Sequence, residues 1–215
     1  MNQNEDLKKI EQKAFRATYQ DGLYDICYGI FLLAWAVVPV VRDAGISMFL
    51  AALPFLAIPA VLLLAGKKYI TAPRLGSARY GKERLSRGTK MFGFGVVSLA
   101  ITYALIVIVS VWGVRISGFN GPGGMTVPLI ESLAIFVGVS VLAYFSEFKR
   151  LYIYAVFFAG GIPLAEILYS QVGTPADELI AFGIPAVGII IVGVVFLVSF
   201  LKNNPLPERE VANGI

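Results

Sequence analysis

Two glutamates lie inside long apolar stretches of the sequence, where a charged side chain is expensive to keep. Glu131 and Glu166 are both expected near the outer ends of membrane-spanning segments. A carboxylate left charged in lipid costs at least about 2.5 kcal/mol, so such residues commonly mark ion or proton sites. Arg42 and Arg115 fall at a similar depth. These four residues are candidates for an outward-facing site for a cation, a small solute or protons, or alternatively for salt bridges that lock helices together.

Two aspartates precede and begin the first apolar stretch. Asp21 and Asp25 are four residues apart, so on a helix they share one face. Paired carboxylates at a membrane surface are weak candidates for holding Mg²⁺. The simpler interpretation is structural: Asp21 caps the first helix, Asp25 lies at the positive end of its dipole, and both pair with nearby cations of a basic segment.

That basic segment, residues 67–90, holds eight of the chain's 18 Lys and Arg residues and one acid, Glu83. Each such cation near an anionic leaflet contributes about 1 kcal/mol of attraction. We expect the segment to orient the chain in the membrane and to contact anionic phospholipid headgroups or an acidic protein partner. The residues concerned are Lys67, Lys68, Arg74, Arg79, Lys82, Arg84, Arg87 and Lys90.

Several residue types needed for common catalytic and metal sites are missing. The chain has no histidine and a single cysteine, Cys27. Ser-His and Cys-His nucleophiles, His-ligated metals, Cys-based zinc sites and an internal disulfide are therefore excluded. We expect a protein that is not an enzyme and that has no cofactor.

The elements that must position these residues are apolar segments of about 20 residues, long enough to cross a core of about 30 Å. Hydrophobic residues make up 57% of the chain and charged residues 15%, against about 25% in soluble domains. Spanning segments must satisfy their own backbone hydrogen bonds, so each is expected to be helical. The sequence predicts an all-α integral membrane protein with a six-helix bundle, at 23–41, 46–65, 92–114, 127–146, 151–170 and 179–201.

The distribution of positive charge predicts the orientation. With both termini inside, 16 of the 18 Lys and Arg residues fall on the cytosolic side, and only Arg42 and Arg115 fall outside. The basic excess therefore reflects membrane topology, and no nucleic-acid partner is expected. The predicted location is the inner (plasma) membrane, with multiple spans and cytoplasmic N- and C-termini.

The remaining segments complete the predicted organisation. Residues 1–22 are expected to form an interfacial amphipathic helix, and residues 23–201 the membrane domain with its cytosolic loop 66–91. Residues 202–215, with two prolines and no apolar period, are expected to form a disordered tail.

Two short runs carry a resemblance. The run QDGLYDICYGIFLL followed by YITAPRLGSARYG resembles a group of uncharacterised prokaryotic multi-pass membrane proteins, with a DGL-x-D start to the first span and a T-x-P-R-[LI]-G cytosolic loop. The resemblance covers mainly residues 20–35 and 69–81. It implies a multi-pass membrane fold and no known activity.

Two functions remain open from the sequence. One is a small-solute or proton-coupled transporter, or a solute-binding membrane subunit, with an outer-half polar site at Glu131 and Glu166. The alternative is a non-catalytic membrane scaffold or partner subunit that docks anionic lipid or an acidic partner through the basic segment.

Overall fold

The structure is a computed structural model that describes residues 18–75, 93–94 and 125–206 of the 215-residue chain. Within these residues every regular element is helical and no strand is present. Five helices of this described part are long and apolar enough to cross a membrane. The helical, membrane-compatible class predicted from the apolar segments is therefore confirmed.

The helices follow one another in this order. α1 spans Leu23–Asp43 and α2 spans Met48–Gly66, which continues through a π-helical segment, Lys67–Thr71, into α3, Ala72–Leu75. Between residues 76 and 124 only residues 93–94 are described. The next helices are α4 at Thr126–Ser146 and α5 at Arg150–Val172. A short α6, Ala176–Glu178, leads through a second π-helical segment, Leu179–Gly183, into α7, Ile184–Asn203.

Two of the predicted spans are longer in the structure. The segment predicted at 46–65 extends as one apolar span to Leu75, and the last one begins at Ala176. The segment predicted at 92–114 falls outside the described residues except for residues 93–94, as do the predicted N-terminal helix up to residue 17 and the tail from residue 207.

Local signals explain where helices begin and reverse. Ser47 caps α2, since its Oγ accepts a hydrogen bond from Leu50 N at 3.3 Å. Between α4 and α5 the chain turns at Glu147, which takes a left-handed conformation with φ of 55°. Phe148 N then donates to Ala143 O at 3.2 Å and closes the end of α4.

Two prolines in the apolar segments lie inside continuous helices. Pro59 lies inside α2 and Pro163 inside α5, and both helices are continuous. Pro185 lies at the start of α7, directly after the π-helical segment Leu179–Gly183. The helices α2 and α5 are therefore not interrupted at Pro59 and Pro163.

The helix α1 lies between α2 and α7 and runs antiparallel to both. At one end of α1, Gly22 lies against Gly193, while further along, Gly29 lies against Ala186 and Ile190. On the other side, Cys27 Sγ contacts Pro59 O of α2 at 3.5 Å. The helices α4 and α5 form a hairpin, held at its middle by a hydrogen bond of 2.7 Å from Ser132 Oγ to Ala159 O.

These contacts define two ends of the bundle. The basal end comprises residues 18–25, 66–75, 146–152 and 196–204, and the apical end comprises residues 40–47, 125–131 and 166–183. At the basal end the rings of Tyr19 and Phe148 stack at 5.7 Å, and at the apical end Phe182 fills the space beside Gly161. The chain thus stops being described at Leu75 on the basal end and resumes at Met125 on the apical end.

The outer surface of the helices is apolar. Large side chains such as Leu64, Leu133, Ile184 and Val195 are more than half exposed. In water such a surface would cause association, whereas hydrocarbon solvates it well. The exterior is therefore compatible with a membrane protein.

Candidate functional site

The two aspartates at the start of α1 are the most deeply buried charged residues of the described part. Asp21 and Asp25 are each 0% exposed. Gly22 between them has φ of 78°, and this conformation turns the chain into α1. Asp21 Oδ1 accepts a hydrogen bond from Leu23 N at 3.2 Å, so it caps the new helix.

Asp21 is held by two side chains from the π-helical continuation of α2. Lys67 Nζ lies 2.5 Å from Asp21 Oδ2, and Thr71 Oγ1 donates to the same oxygen at 2.6 Å. Lys67 also donates to Thr18 O and lies over the ring of Tyr24, 4.6 Å from its centroid. The four-residue spacing of Lys67 and Thr71 turns both side chains towards one carboxylate.

Asp25 is held by two side chains of α5. Tyr154 donates its hydroxyl proton to Asp25 Oδ1, and Arg150 Nη2 lies 3.0 Å from Oδ2. Arg150 and Asp25 form an ion pair that does not have the geometry of a hydrogen bond, because Asp25 Oδ2 accepts none. Arg150 Nη2 instead donates to Tyr19 O at 2.8 Å. Arg150 and Tyr154, also four residues apart, face α1 together.

These six side chains, Asp21, Asp25, Lys67, Thr71, Arg150 and Tyr154, are called the ionic cluster below. Two carboxylates face two cations, so the cluster is formally neutral. An unpaired buried charge costs several kcal/mol, which these pairings offset. The cluster joins α1 to α2 on one side and to α5 on the other.

Close helix contacts bring the cluster together. At Gly193 of α7 an added Cβ would lie 2.7 Å from Ile26 N and 3.0 Å from Asp25 Cβ. At Gly66 it would lie 2.7 Å from the Leu23 side chain. Both glycines are therefore required for α2 and α7 to approach the first turn of α1, where Asp25 lies.

An aromatic layer covers the cluster. The ring of Phe148 lies 6.3 Å from that of Tyr28 and 6.2 Å from that of Tyr154, and Tyr19 lies 4.6 Å from Tyr24. Arg150 lies over Phe196 with its guanidinium carbon 3.8 Å from the ring centroid. Such contacts exclude water and strengthen the ion pairs.

A cavity of about 540 Å³ opens beside the cluster at the basal end. Arg150 belongs to both, because its guanidinium contacts Asp25 on one side and lines the cavity on the other. The residues that line the cavity are Tyr19, Gln20, Glu147, Phe148, Lys149, Arg150, Phe196, Ser199, Phe200, Asn203 and Asn204.

The structure describes the side chains of only two of the four residues in the predicted outer site, Glu131 and Glu166. Glu131 on α4 is half-buried and Glu166 on α5 is exposed, and no hydrogen bond or ion pair joins either to another described residue. Arg115 lies outside the described residues, and the side chain of Arg42 is not described. A site that combines these four residues stays a prediction.

The basic segment divides into internal and exposed cations. Lys67, expected to contact lipid or a partner, is instead committed to Asp21, because a fully buried carboxylate needs a cation. Lys68 is exposed, and Arg74 donates to Ile70 O at 2.8 Å. The other members, Arg79, Lys82, Arg84, Arg87 and Lys90, lie outside the described residues.

The candidate Mg²⁺ ligands are engaged by protein groups. A metal ion at Asp21 or Asp25 would have to displace Lys67 or Arg150, which already neutralise them. In the described part of the chain no three His, Cys, Asp or Glu side chains come close enough to hold a metal. The capping and ion-pair interpretation accounts for both aspartates.

Sequence reasoning did not find the partners of Asp25. It counted Arg150 only among the cytosolic charges, and it expected both aspartates to pair with the basic segment. That expectation holds for Asp21 with Lys67 only. The weak signal was the four-residue spacing of Arg150 and Tyr154 at the start of a span.

Comparisons with known proteins give no match for the chain. No family model matches the chain, no curated protein matches it, and no solved structure matches it.

Proposed function

We propose that the protein is a non-catalytic membrane scaffold or partner subunit that presents a rigid, positively charged face to the cytosol. The observation that carries this proposal is the ionic cluster. Every one of its charges has an opposite charge within the fold, and the pairs tie α1 to α2 and α5. Such pairing fixes these helices in place at the basal end.

The proposed topology has six spans with the basal end in the cytosol of a prokaryotic plasma membrane. The described chain ends at Leu75 on the basal side and, apart from residues 93–94, is next described from Met125 on the apical side. Residues 76–124 connect these two ends in the sequence. The apolar segment 92–114 within them has the length and composition of one crossing, which supports the even number of spans.

Cysteine labelling of intact cells tests this orientation. Cys27 is replaced by Ser, and single cysteines are placed at exposed Lys68 on the basal end or at exposed Ser170 on the apical end. We expect a membrane-impermeant maleimide to label position 170 in intact cells and position 68 only after lysis. Labelling of position 68 in intact cells would contradict the proposed topology.

Docking is proposed to occur through the exposed cations of the basic segment, with an anionic lipid or an acidic protein as the partner. Lys68 is exposed beside the π-helical segment, and five further cations follow Arg74 up to residue 90.

Neutralising Arg79, Lys82, Arg84 and Arg87 with Gln should release copurifying lipid or protein, measured by mass spectrometry of the gently solubilised complex. The matched control neutralises Lys202 and Arg209 instead. Equal retention in both variants would argue against docking here.

A transport function is a second candidate, and one observation favours it. Glu131 is half-buried in α4 and makes no ion pair or hydrogen bond with the other described residues. A carboxylate in this setting is available to bind a cation or a proton. Under this hypothesis Glu131→Gln and Glu166→Gln abolish proton or solute flux in reconstituted vesicles, whereas Glu147→Gln at the basal end leaves it intact. Unchanged flux in both apical variants would remove the hypothesis.

A further inference from the structure

The basal cavity differs from the rest of the helical surface because it is lined by hydrogen-bonding groups. Lys149, Gln20 and Ser199 are exposed at its edge, and Asn203 Nδ2 lies 3.4 Å from Ser199 Oγ. Its volume of about 540 Å³ lies within the usual range of ligand pockets, about 300–1,000 Å³. It is much larger than a single ion and fits an organic group.

Arg150 is the residue that connects the ionic cluster to this cavity. Its Nη2 is engaged by Tyr19 O and faces Asp25, while its Nη1 and Nε make no hydrogen bond with the described residues. Phe196 stacks on the guanidinium at 3.8 Å and Phe148 lies 5.1 Å away, so its plane is held in one orientation. A stacked guanidinium whose Nη1 and Nε are not engaged by the described residues matches the paired oxygens of a phosphate group.

A second cation strengthens this preference. Lys149 precedes Arg150, is exposed, and lines the same cavity. The lining also contains Glu147, and Asp25 faces Arg150 from behind, so a phosphate would be held by the two placed cationic donors and not by an excess of positive charge. The aromatic residues Phe196 and Phe200 provide an apolar wall for the part of the ligand that follows the phosphate.

We propose that the basal cavity binds a phosphate ester, with Arg150 and Lys149 as the phosphate ligands and Ser199 at the site's edge. The phosphate group of a lipid headgroup and that of a soluble phosphoester share this chemistry. Binding here does not require the basic segment 67–90, so it can succeed or fail separately from docking through that segment.

The test is a binding titration of the full chain in detergent micelles by native mass spectrometry. The probes are short-chain phosphatidylglycerol, glycerol phosphate, and a diacylglycerol with the same chains but no phosphate. We expect saturable one-site binding of a phosphate-bearing probe and none of the diacylglycerol. If glycerol phosphate competes with phosphatidylglycerol, the phosphoester alone is sufficient for binding. If only phosphatidylglycerol binds, the ligand is a lipid. Either result supports the site.

Variants separate the cavity from general charge effects. Arg150→Gln is unsuitable alone because it leaves Asp25 without a cation, whereas Arg150→Lys keeps that charge and removes the planar fork. Arg150→Lys and Lys149→Gln should each weaken binding about five- to tenfold, and Ser199→Leu should block it by filling the cavity. The control Lys202→Gln, on the same end but outside the lining, should change affinity by less than about twofold.

Three results would overturn the proposal. They are the absence of saturable binding of both phosphate probes, equal binding of the diacylglycerol, and a loss of affinity in Lys202→Gln as large as that in Lys149→Gln. The same binding titration, carried out on the protein and on its variants, measures all three.

Discussion

At the basal end, the fully buried Asp21 and Asp25 each contact a cation from another helix, whereas Glu131 and Glu166 at the apical end have no such contact with the described residues. Asp177 at the apical end is 4% exposed, and its Oδ1 accepts no hydrogen bond from the described part of the chain. Both ends thus bury carboxylates. The basal ones link helices through ion pairs, whereas Glu131 and Glu166 are the residues on which the proposed transport alternative depends.

The difference also shows that position along a span does not reveal what an acid does. Glu131, inside an apolar stretch, was the more conspicuous residue in the sequence, yet Asp25 at a span's edge is the more deeply buried. The two residues differ in whether another helix provides side chains that contact the carboxylate. Asp25 meets Arg150 and Tyr154, two residues brought close by the packing of α5 on α1.

The largest expected effect comes from removing the cation that faces Asp25. Arg150→Gln leaves a fully buried carboxylate without an opposite charge, and we expect it to lower the free energy of unfolding by about 3 kcal/mol. Unfolding in mixed detergent micelles measures this change. Lys202→Gln, which removes an exposed cation at the same end, should change stability by less than about 0.5 kcal/mol. Equal effects would mean that the ion pair does not hold the basal end.

A second effect tests the close approach of α7 to α1. Gly193→Ala places a methyl group 2.7 Å from Ile26 N, and we expect a loss of about 1–3 kcal/mol in stability. Gly188 lies on the same helix, and a Cβ there meets nothing within 4 Å. Gly188→Ala should therefore be neutral, or stabilising by up to about 1 kcal/mol. The prediction fails if both substitutions are tolerated.

A third effect isolates one hydrogen bond of the ionic cluster. Tyr154→Phe removes the hydroxyl that donates to Asp25 and leaves the ring in place, and we expect a loss of about 1–2 kcal/mol. Tyr152→Phe, on an exposed ring of the same helix, is the control and should change stability by less than about 0.5 kcal/mol. Indistinguishable thermal unfolding of the two variants would argue against the bond.

The smallest effect is expected at the apical end. Glu131→Gln and Glu166→Gln break no contact with the described residues, so stability should change by less than about 0.5 kcal/mol. The same unfolding assay measures this. A loss above about 2 kcal/mol in either variant would give the apical acids a structural role like that of the basal ones, and would remove the contrast between the two ends.

Much of the fold could be predicted from apolar length alone. The predicted spans 23–41, 127–146 and 151–170 match α1, α4 and α5 to within two residues at each end. The prediction ended the second span too early because Lys67 and Lys68 resemble the start of a loop. The helix continues there because Lys67 finds a buried carboxylate, which hydropathy does not measure.

The site could be predicted only in part. The position of Asp21 ahead of an apolar run is a local signal for a cap, and the structure has that cap. The contact between Asp25 and Tyr154 joins residues 129 positions apart, so no local pattern encodes it. It depends on how α5 packs on α1, with Gly22 and Gly193 setting the neighbouring approach of α7.

The most direct test of the paired basal charges is a double-mutant cycle on Asp25 and Arg150, with Asp25→Asn, Arg150→Gln and the combined variant unfolded under identical conditions. The ionic cluster predicts that the combined variant is more stable than the sum of the single losses implies, by about 1–3 kcal/mol. Losses that simply add would contradict the claim that this pair holds α1 and α5 together.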